Sequence, residues 1–184
     1  MNHLDKQQGF TLIELLITTA IGLVIMAGMT SVFVSQTRTA NMLKNKTEAM
    51  GDLFLASQIM QSELRGAKGI CWNGSNILSY QPIDSNAPCA AGVNAANGSF
   101  EFRPVNATHP TPYICWARPN NASGCQELLR GLPAAGGLAV AIITPAPVVP
   151  PLPITYVVDL QSNFTGQANQ AQTLGLTFKV WARN

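Results

Sequence analysis

Two patterns of apolar residues organise the first third of the chain. A continuous apolar run extends from Phe10 to Val34, and Glu14 is its only charged residue. A helix needs about 20 mainly apolar residues to cross a bilayer, so this run predicts a membrane-spanning helix. Beyond Gln36 apolar residues recur every three or four positions, the spacing of a helix with one buried stripe. The stripe comprises Met50, Leu53, Ser57, Met60, Leu64 and Ala67.

Together the two patterns predict one helix from Thr11 to Ala67. Residues 10–34 would lie in lipid, and the amphipathic continuation, 35–70, would pack its stripe onto a globular domain. Gly66 and Gly69 bracket the predicted helix end, and glycine is frequent where helices stop. The expected organisation is therefore a segment 1–9, the helix, and a β-rich domain over 71–184.

Alternation of apolar and polar residues predicts strands within 71–184. The predicted strands are Ser99–Arg103, Tyr113–Ala117, Leu138–Thr144, Ile154–Leu160 and Leu174–Ala182. The last alternates most clearly, and its apolar face consists of Leu174, Leu176, Phe178, Val180 and Ala182. This pattern fits an antiparallel sheet with one face packed on the helix. The predicted fold class is thus α+β.

Two shorter segments are less regular. Leu128–Leu132 is interpreted as a helical turn. The proline-rich segment Thr144–Pro153 is interpreted as a stiff surface connector, with a recognition role as the alternative.

The cysteines indicate the compartment. All four, Cys71, Cys89, Cys115 and Cys125, follow the apolar run. An even number in a polar, loop-rich region predicts disulfides in an oxidising compartment. Three pairings are possible. We favour the sequential one, which closes two short loops that could each contribute about 3 kcal/mol. A metal site would need Cys-x-x-Cys or Cys/His spacing, which this sequence lacks.

The charges around the apolar run predict that the downstream domain lies in the cytoplasm, which is opposite to what the cysteines indicate. Loops on the cytoplasmic side usually carry the excess of Lys and Arg. Lys6 precedes the run, whereas Arg38, Lys44 and Lys46 follow it. Because long downstream domains can translocate regardless of charge, the cysteines decide the prediction. The domain is therefore expected outside the cytoplasm.

The chain offers little material for catalysis or for binding nucleic acid. Its net charge is +2, and His3 and His109 are its histidines. His109 is interpreted as an ordinary solvated loop residue. The carboxylates of the β-rich part are Asp84, Glu101, Glu127 and Asp159. We therefore expect no catalytic residues, no metal, no cofactor and no nucleic-acid partner.

Glu14 has two interpretations. It could be tolerated near the lipid headgroups, where a charge costs less than the ~2.5–3.5 kcal/mol of the bilayer centre. Alternatively it has a cationic partner. Cleavage after Gly9 would give Phe10 a free amine four residues away, one helical turn from Glu14. The amine of a neighbouring subunit could serve equally well.

The stretch GFTLIELLI, Gly9–Ile17, closely resembles the cleavage and methylation motif of type IV prepilins. That family has a short polar leader ending in Gly, then Phe, then an apolar run with Glu at its fifth position. The resemblance implies that prepilin peptidase cuts between Gly9 and Phe10 and methylates the Phe10 amine. It implies that Glu14 is the assembly glutamate, and that the long helix packs on a β-sheet domain in the type IV pilin fold.

A weaker resemblance covers ASQIMQSELRGAKGICW, Ala56–Trp72, which looks like PilW-type minor pilins through Arg65, Gly66, Gly69 and Cys71. It implies a single-pass inner-membrane protein with a periplasmic domain, later found in a pilus filament or its tip. The implied partners are other minor pilins, the major pilin and the inner-membrane assembly platform. The alternatives are a minor pseudopilin of type II secretion, J-type being the nearest, and a pilus-tip adhesin or other binding module.

Overall fold

The computed structural model describes residues 10–90, 96–120, 124–133, 136–143, 154–166 and 170–181. Segment 1–9, the proline-rich Thr144–Pro153 and Ala182 lie outside them. The chain divides into two compact units, Met1–Leu43 and Lys44–Asn184. The described residues form the helix α1, Leu12–Arg65, followed by strands. The strands are β1 Gly69–Trp72, β2 Ile77–Gln81, β3 Gly98–Arg103, β4 Tyr113–Ala117, β5 Gln126–Arg130, β6 Leu138–Ile143, β7 Thr155–Thr165 and β8 Ala171–Trp181.

The predicted long helix is confirmed, but its end differs from the expectation. Gly66 is not among the glycines with positive φ, so it does not form a left-handed cap. The last turn tightens instead, with the Ala67 amide donating to the carbonyl of Leu64 at 3.2 Å. The Lys68 amide then donates to the Gln81 carbonyl at 2.8 Å. Pairing of the chain with β2 therefore ends the helix.

In the unit Lys44–Asn184 the helix packs on antiparallel sheets, which confirms the predicted α+β, pilin-like fold. The buried stripe is formed by Leu53, Ala56, Ser57, Met60, Leu64 and Ala67. The prediction was wrong for Met50, which is 58% exposed. Met50 and Phe54 line an open apolar groove of about 460 Å³ with Leu174 and Leu176.

The strands form two sheets. β1 to β5 pair in sequence order into a five-stranded antiparallel sheet, and β6, β7 and β8 form a three-stranded one. All five predicted strands are present within a few residues of the expected bounds. The helical turn expected at Leu128–Leu132 was wrong, because Gln126–Arg130 is β5 and pairs with β4. β1 and β2 were not predicted.

Three aromatic residues of the larger sheet stack on one another, and one of them bonds to the helix. The Tyr80 and Phe100 rings stack with centroids 5.6 Å apart, and those of Phe100 and Trp116 with centroids 6.1 Å apart. The Tyr80 hydroxyl donates to a carboxylate oxygen of Glu63, on α1, at 2.9 Å. It accepts from the Trp116 indole N–H at 3.1 Å. Gly98 is the cross-strand partner of Tyr80, and a Cβ there would overlap the Tyr80 ring.

A second tyrosine joins the two sheets. The Tyr156 hydroxyl, on β7, donates to the Ile70 carbonyl, on β1, at 2.7 Å. Burial raises the pKa of Tyr156. Burial also raises the pKa of Tyr80. The hydrogen bond from the Trp116 indole N–H lowers the pKa of Tyr80, whereas the Glu63 carboxylate raises it further. Both phenols are therefore held in their neutral, hydrogen-bonding form.

The Tyr80→Phe variant tests the helix–sheet contact. Removing the hydroxyl leaves Glu63 without its donor and Trp116 without its acceptor. We expect unfolding free energy to fall by about 1.5–3 kcal/mol, since hydrogen bonds to charged groups are worth that much. Denaturant titration of the full chain in detergent, followed by tryptophan fluorescence, measures it. Tyr156→Phe, which loses one neutral bond, should cost less, about 0.5–1.5 kcal/mol; equal losses would contradict the assignment.

Alkaline pH should destabilise the fold. A tyrosine in the unfolded chain ionises near pH ~10, whereas the folded Tyr80 keeps its proton to higher pH. Stability is therefore fully present below pH ~10 and is lost as pH rises, by about 1.4 kcal/mol per pH unit for each such tyrosine. Denaturant midpoints measured between pH 8 and pH 11 should fall less steeply in Tyr80→Phe than in the native chain.

Candidate functional site

The N-terminal part of α1 exposes apolar side chains in every direction. Within the unit Met1–Leu43, residues 12–40 are all exposed. The large exposed apolar residues include Phe10, Leu12, Ile13, Leu15, Leu16, Ile17, Ile21, Leu23, Val24, Ile25, Met26, Met29, Val32, Phe33 and Val34. A helix that is apolar all round is typical of a membrane span or of burial among other helices. By length and composition α1 could cross a membrane.

Threonine hydroxyls in this segment are satisfied inside the helix itself. Thr18 Oγ1 donates to the Glu14 carbonyl at 2.9 Å, Thr19 Oγ1 to that of Leu16 at 2.9 Å, and Thr30 Oγ1 to that of Met26 at 2.8 Å. An unsatisfied polar group in hydrocarbon costs several kcal/mol, so these internal bonds make the segment compatible with lipid. The surface of this part of the helix therefore stays apolar even where the sequence has threonine.

Glu14 lies in the first turn of α1. The amides of Glu14 and Leu15 donate to the Thr11 carbonyl at 3.1 and 3.3 Å. These are backbone bonds of the first helical turn, and the sequence Thr11-x-x-Glu14 also has the spacing of a capping box, which was not predicted. The positive end of the helix dipole also favours a carboxylate here by about 0.3–1 kcal/mol. Within residues 10–90 the structure shows no ion pair to the Glu14 side chain.

Phe10 lies two residues before the first residue of α1 and is 80% exposed. Gly9, on the other side of the expected cleavage bond, lies outside the described residues. Phe10 and Glu14 are therefore close in sequence at the start of α1, as expected. Their roles in cleavage, methylation and assembly stay predictions.

The cysteines lie in the other unit. The structure joins Cys71 to Cys89 and Cys115 to Cys125, which is the sequential pairing. The first disulfide ties β1 to the loop after β2, and the second ties β4 to the residue before β5. Among the described residues no group of His, Cys, Asp or Glu has the arrangement of a metal site.

One cluster in the unit Lys44–Asn184 was missed. His109, interpreted as a solvated loop residue, contacts two others. Its ring centroid lies 4.3 Å from that of Tyr113, and Nδ1 lies 3.8 Å from Oε2 of Glu127. Arg130 also pairs with Glu127. Nothing in the spacing of these residues along the sequence indicated the cluster, because it depends on an irregularity in strand pairing.

Comparison with known proteins bears on the N-terminal segment. Residues 4–30 match the family model described as the prokaryotic N-terminal methylation motif. No curated protein and no solved structure matches the chain. The prepilin-like motif is thus confirmed, and with the exposed apolar helix it supports a subunit similar to type IV pilins or pseudopilins, anchored in a membrane by that helix.

Proposed function

We propose that this protein is a minor pilin of a type IV pilus. It is inserted in the inner membrane with its disulfide-bonded domain in the periplasm, is cleaved and methylated by prepilin peptidase, and then joins other minor pilins and the major pilin. In that complex it helps to start pilus assembly at the inner-membrane platform or to form the tip. Its role is structural, with no catalytic residues, no cofactor and no nucleic-acid partner.

The observation that carries the proposal is the exposed apolar helix with a single carboxylate in its first turn. Such a surface is stable only in apolar surroundings, and these can be lipid or other apolar helices. Because both environments are similar in polarity, the helix can move from the bilayer to a filament core without a large transfer cost. This is the physical basis for reversible extraction of a subunit from a membrane.

Glu14 makes the move of the helix from the bilayer to the filament core selective. An unpaired charge in apolar surroundings costs several kcal/mol, and a cation held against it offsets much of that cost. The amine that cleavage creates at Phe10 is such a cation. On a neighbouring subunit it would reach Glu14 only at one axial offset between the helices, so the ion pair would set the register of assembly.

The capping-box spacing would allow Glu14 a second, local role at the helix start, and the test must separate it from the assembly role. A glutamine at position 14 can still bond to the helix N-terminus, since capping boxes accept either Glu or Gln. It cannot form an ion pair. Glu14→Gln therefore removes the proposed assembly contact while it keeps the helix start.

Glu14→Gln should leave membrane insertion and cleavage intact but reduce recovery of the protein in sheared pili at least about tenfold, because the neighbour's amine loses its partner. Immunoblotting of the pilus and membrane fractions measures this, and mass spectrometry of the N-terminus verifies processing. Glu48→Gln is the matched control, since Glu48 is an exposed carboxylate of the same helix, 3.9 Å from Lys44. Equal recovery of both variants would refute the assembly role.

Gly9→Val should block cleavage, since the motif requires glycine before the cut. We expect the chain to accumulate in the membrane with residues 1–9 attached, and the variant to be missing from pili. Intact-mass measurement of the purified protein distinguishes the two forms. A native chain that begins anywhere other than Phe10 would contradict the proposed processing.

Recovery of the native protein also distinguishes the pilus from its nearest alternative. Cross-linking in cells followed by mass spectrometry should identify pilins as its partners. Partners from a type II secretion machine would instead make it a pseudopilin, with the same helix chemistry in a different assembly.

A further inference from the structure

A small polar pocket lies at one edge of the five-stranded sheet. It has a volume of about 200 Å³ and is lined by Thr108, His109, Pro110, Thr111, Tyr113, Glu127 and Arg130. The loop between β3 and β4 supplies one wall, and β5 supplies the other. Pockets for drug-sized ligands usually measure about 300–1,000 Å³, so this one has room for a single ring-sized group.

A β-bulge creates the charged wall of the pocket. Side chains alternate along a strand, so residues three apart normally face opposite sides. In β5, however, Ile114 pairs with Leu129 and the next residue, Cys115, pairs with Glu127, so Leu128 is an extra residue. The bulge turns Glu127 and Arg130 to the same side, where their side chains form an ion pair. Bulges re-aim side chains in this way next to binding sites.

Bonds within the chain hold both walls of the pocket. Asn106 Oδ1 accepts hydrogen bonds from the amides of Thr108 and His109 at 3.0 and 2.7 Å. The Asn106 amide donates to the His109 carbonyl at 3.0 Å, which closes the turn. The disulfide Cys115–Cys125 fixes β5 next to β4. A ligand would therefore pay little ordering entropy on binding.

The charges within the pocket are balanced. Glu127 contacts both Arg130 and His109, and the neighbouring Glu101 and Arg103 form their own ion pair at 2.9 Å. A net-charged ligand would therefore find no excess of opposite charge in the pocket and would lose part of its hydration. The Glu127 carboxylate and the Arg130 guanidinium nevertheless keep unused acceptor and donor positions, since a carboxylate has about four lone pairs and a guanidinium five N–H donors.

We propose that this pocket binds one neutral six-membered sugar ring of a carbohydrate. Glu127 accepts hydrogen bonds from two adjacent sugar hydroxyls, and Arg130 donates to sugar oxygens. The Thr108 and Thr111 hydroxyls donate or accept at the rim. The His109 ring, which is packed at 4.3 Å on Tyr113, provides an apolar surface for the C–H groups of the sugar. A few placed donors and acceptors beside an aromatic ring are the arrangement that fixes the orientation of a small ligand in a pocket.

This binding activity goes beyond the assembly role and does not depend on it. All the pocket residues lie in the unit Lys44–Asn184, and none lies in the apolar segment that contains Glu14. A failure of either proposal would leave the other intact.

Saturation-transfer NMR on the full chain tests the proposal. The chain is placed in phosphatidylcholine nanodiscs, which contain no sugar. The probes are the methyl glycosides of glucose, galactose, mannose, N-acetylglucosamine and N-acetylgalactosamine, with N-acetylneuraminic acid and acetate as anionic probes. We expect saturable binding of at least one neutral glycoside with a Kd of about 1 mM, the range for a ligand of this size.

Variants locate the binding site. Glu127→Gln should weaken binding at least about tenfold, because one of the two acceptor oxygens of the carboxylate is replaced by an NH2 group, which can only donate. Glu101→Gln is the same change on β3, two strands away and outside the pocket lining, and it should alter binding less than about twofold. Thr111→Val changes only an exposed loop residue and should weaken binding by about threefold or more. The binding measured for Thr111→Val is the deciding test if Glu127→Gln fails to fold.

Three results would overturn the proposal. The first is the lack of a saturable signal from any neutral glycoside. The second is binding that persists unchanged in Glu127→Gln or, where that variant is unfolded, in Thr111→Val. The third is binding of the anionic probes only, which would show that the pocket selects charge instead of a pattern of hydroxyls.

Discussion

The hydrogen bond from the Tyr80 hydroxyl to Glu63 connects the helical and sheet parts of the domain. Glu63 lies near the end of α1 and Tyr80 in the second strand of the sheet, so the bond joins the helix to the sheet across a separation of 17 residues. Trp116 extends the connection to β4. Among the described residues no buried side-chain polar atom lacks a partner. The polar contacts at this interface therefore specify the docking of the helix without leaving an unpaired group in the core.

The same helix has two kinds of surface because its sequence changes near residue 40. Up to that point every described residue of α1 is exposed and most are apolar. From Leu53 onward one stripe is buried and the remaining faces are largely exposed. The first part can be stable only in apolar surroundings, whereas the second is stabilised by its own domain. One continuous element thus serves both as anchor and as part of the folded core.

The sequence predicted the features that arise from regular spacing. The helix, the strands with clear alternation and the face of β8 that contains Phe178 and Val180 follow from periods of 3.6 and 2. The errors arose where tertiary contacts decide. Met50 continues the helical stripe but stays 58% exposed, in an open groove that it lines with Leu174 and Leu176. The stretch near Leu129 has the spacing of a helical turn, yet it forms β5 because β4 supplies its hydrogen-bond partners.

The N-terminal motif was recognisable because all its residues are close in sequence, whereas the polar pocket combines a loop with a distant strand. The extra residue Leu128 determines which side Arg130 faces relative to Glu127. Substitution within β5 would change the chemistry of one wall. Insertion or deletion of one residue would instead rotate one charge to the opposite side of the sheet and separate the pair. The length of this strand is consequently under a stricter constraint than its composition.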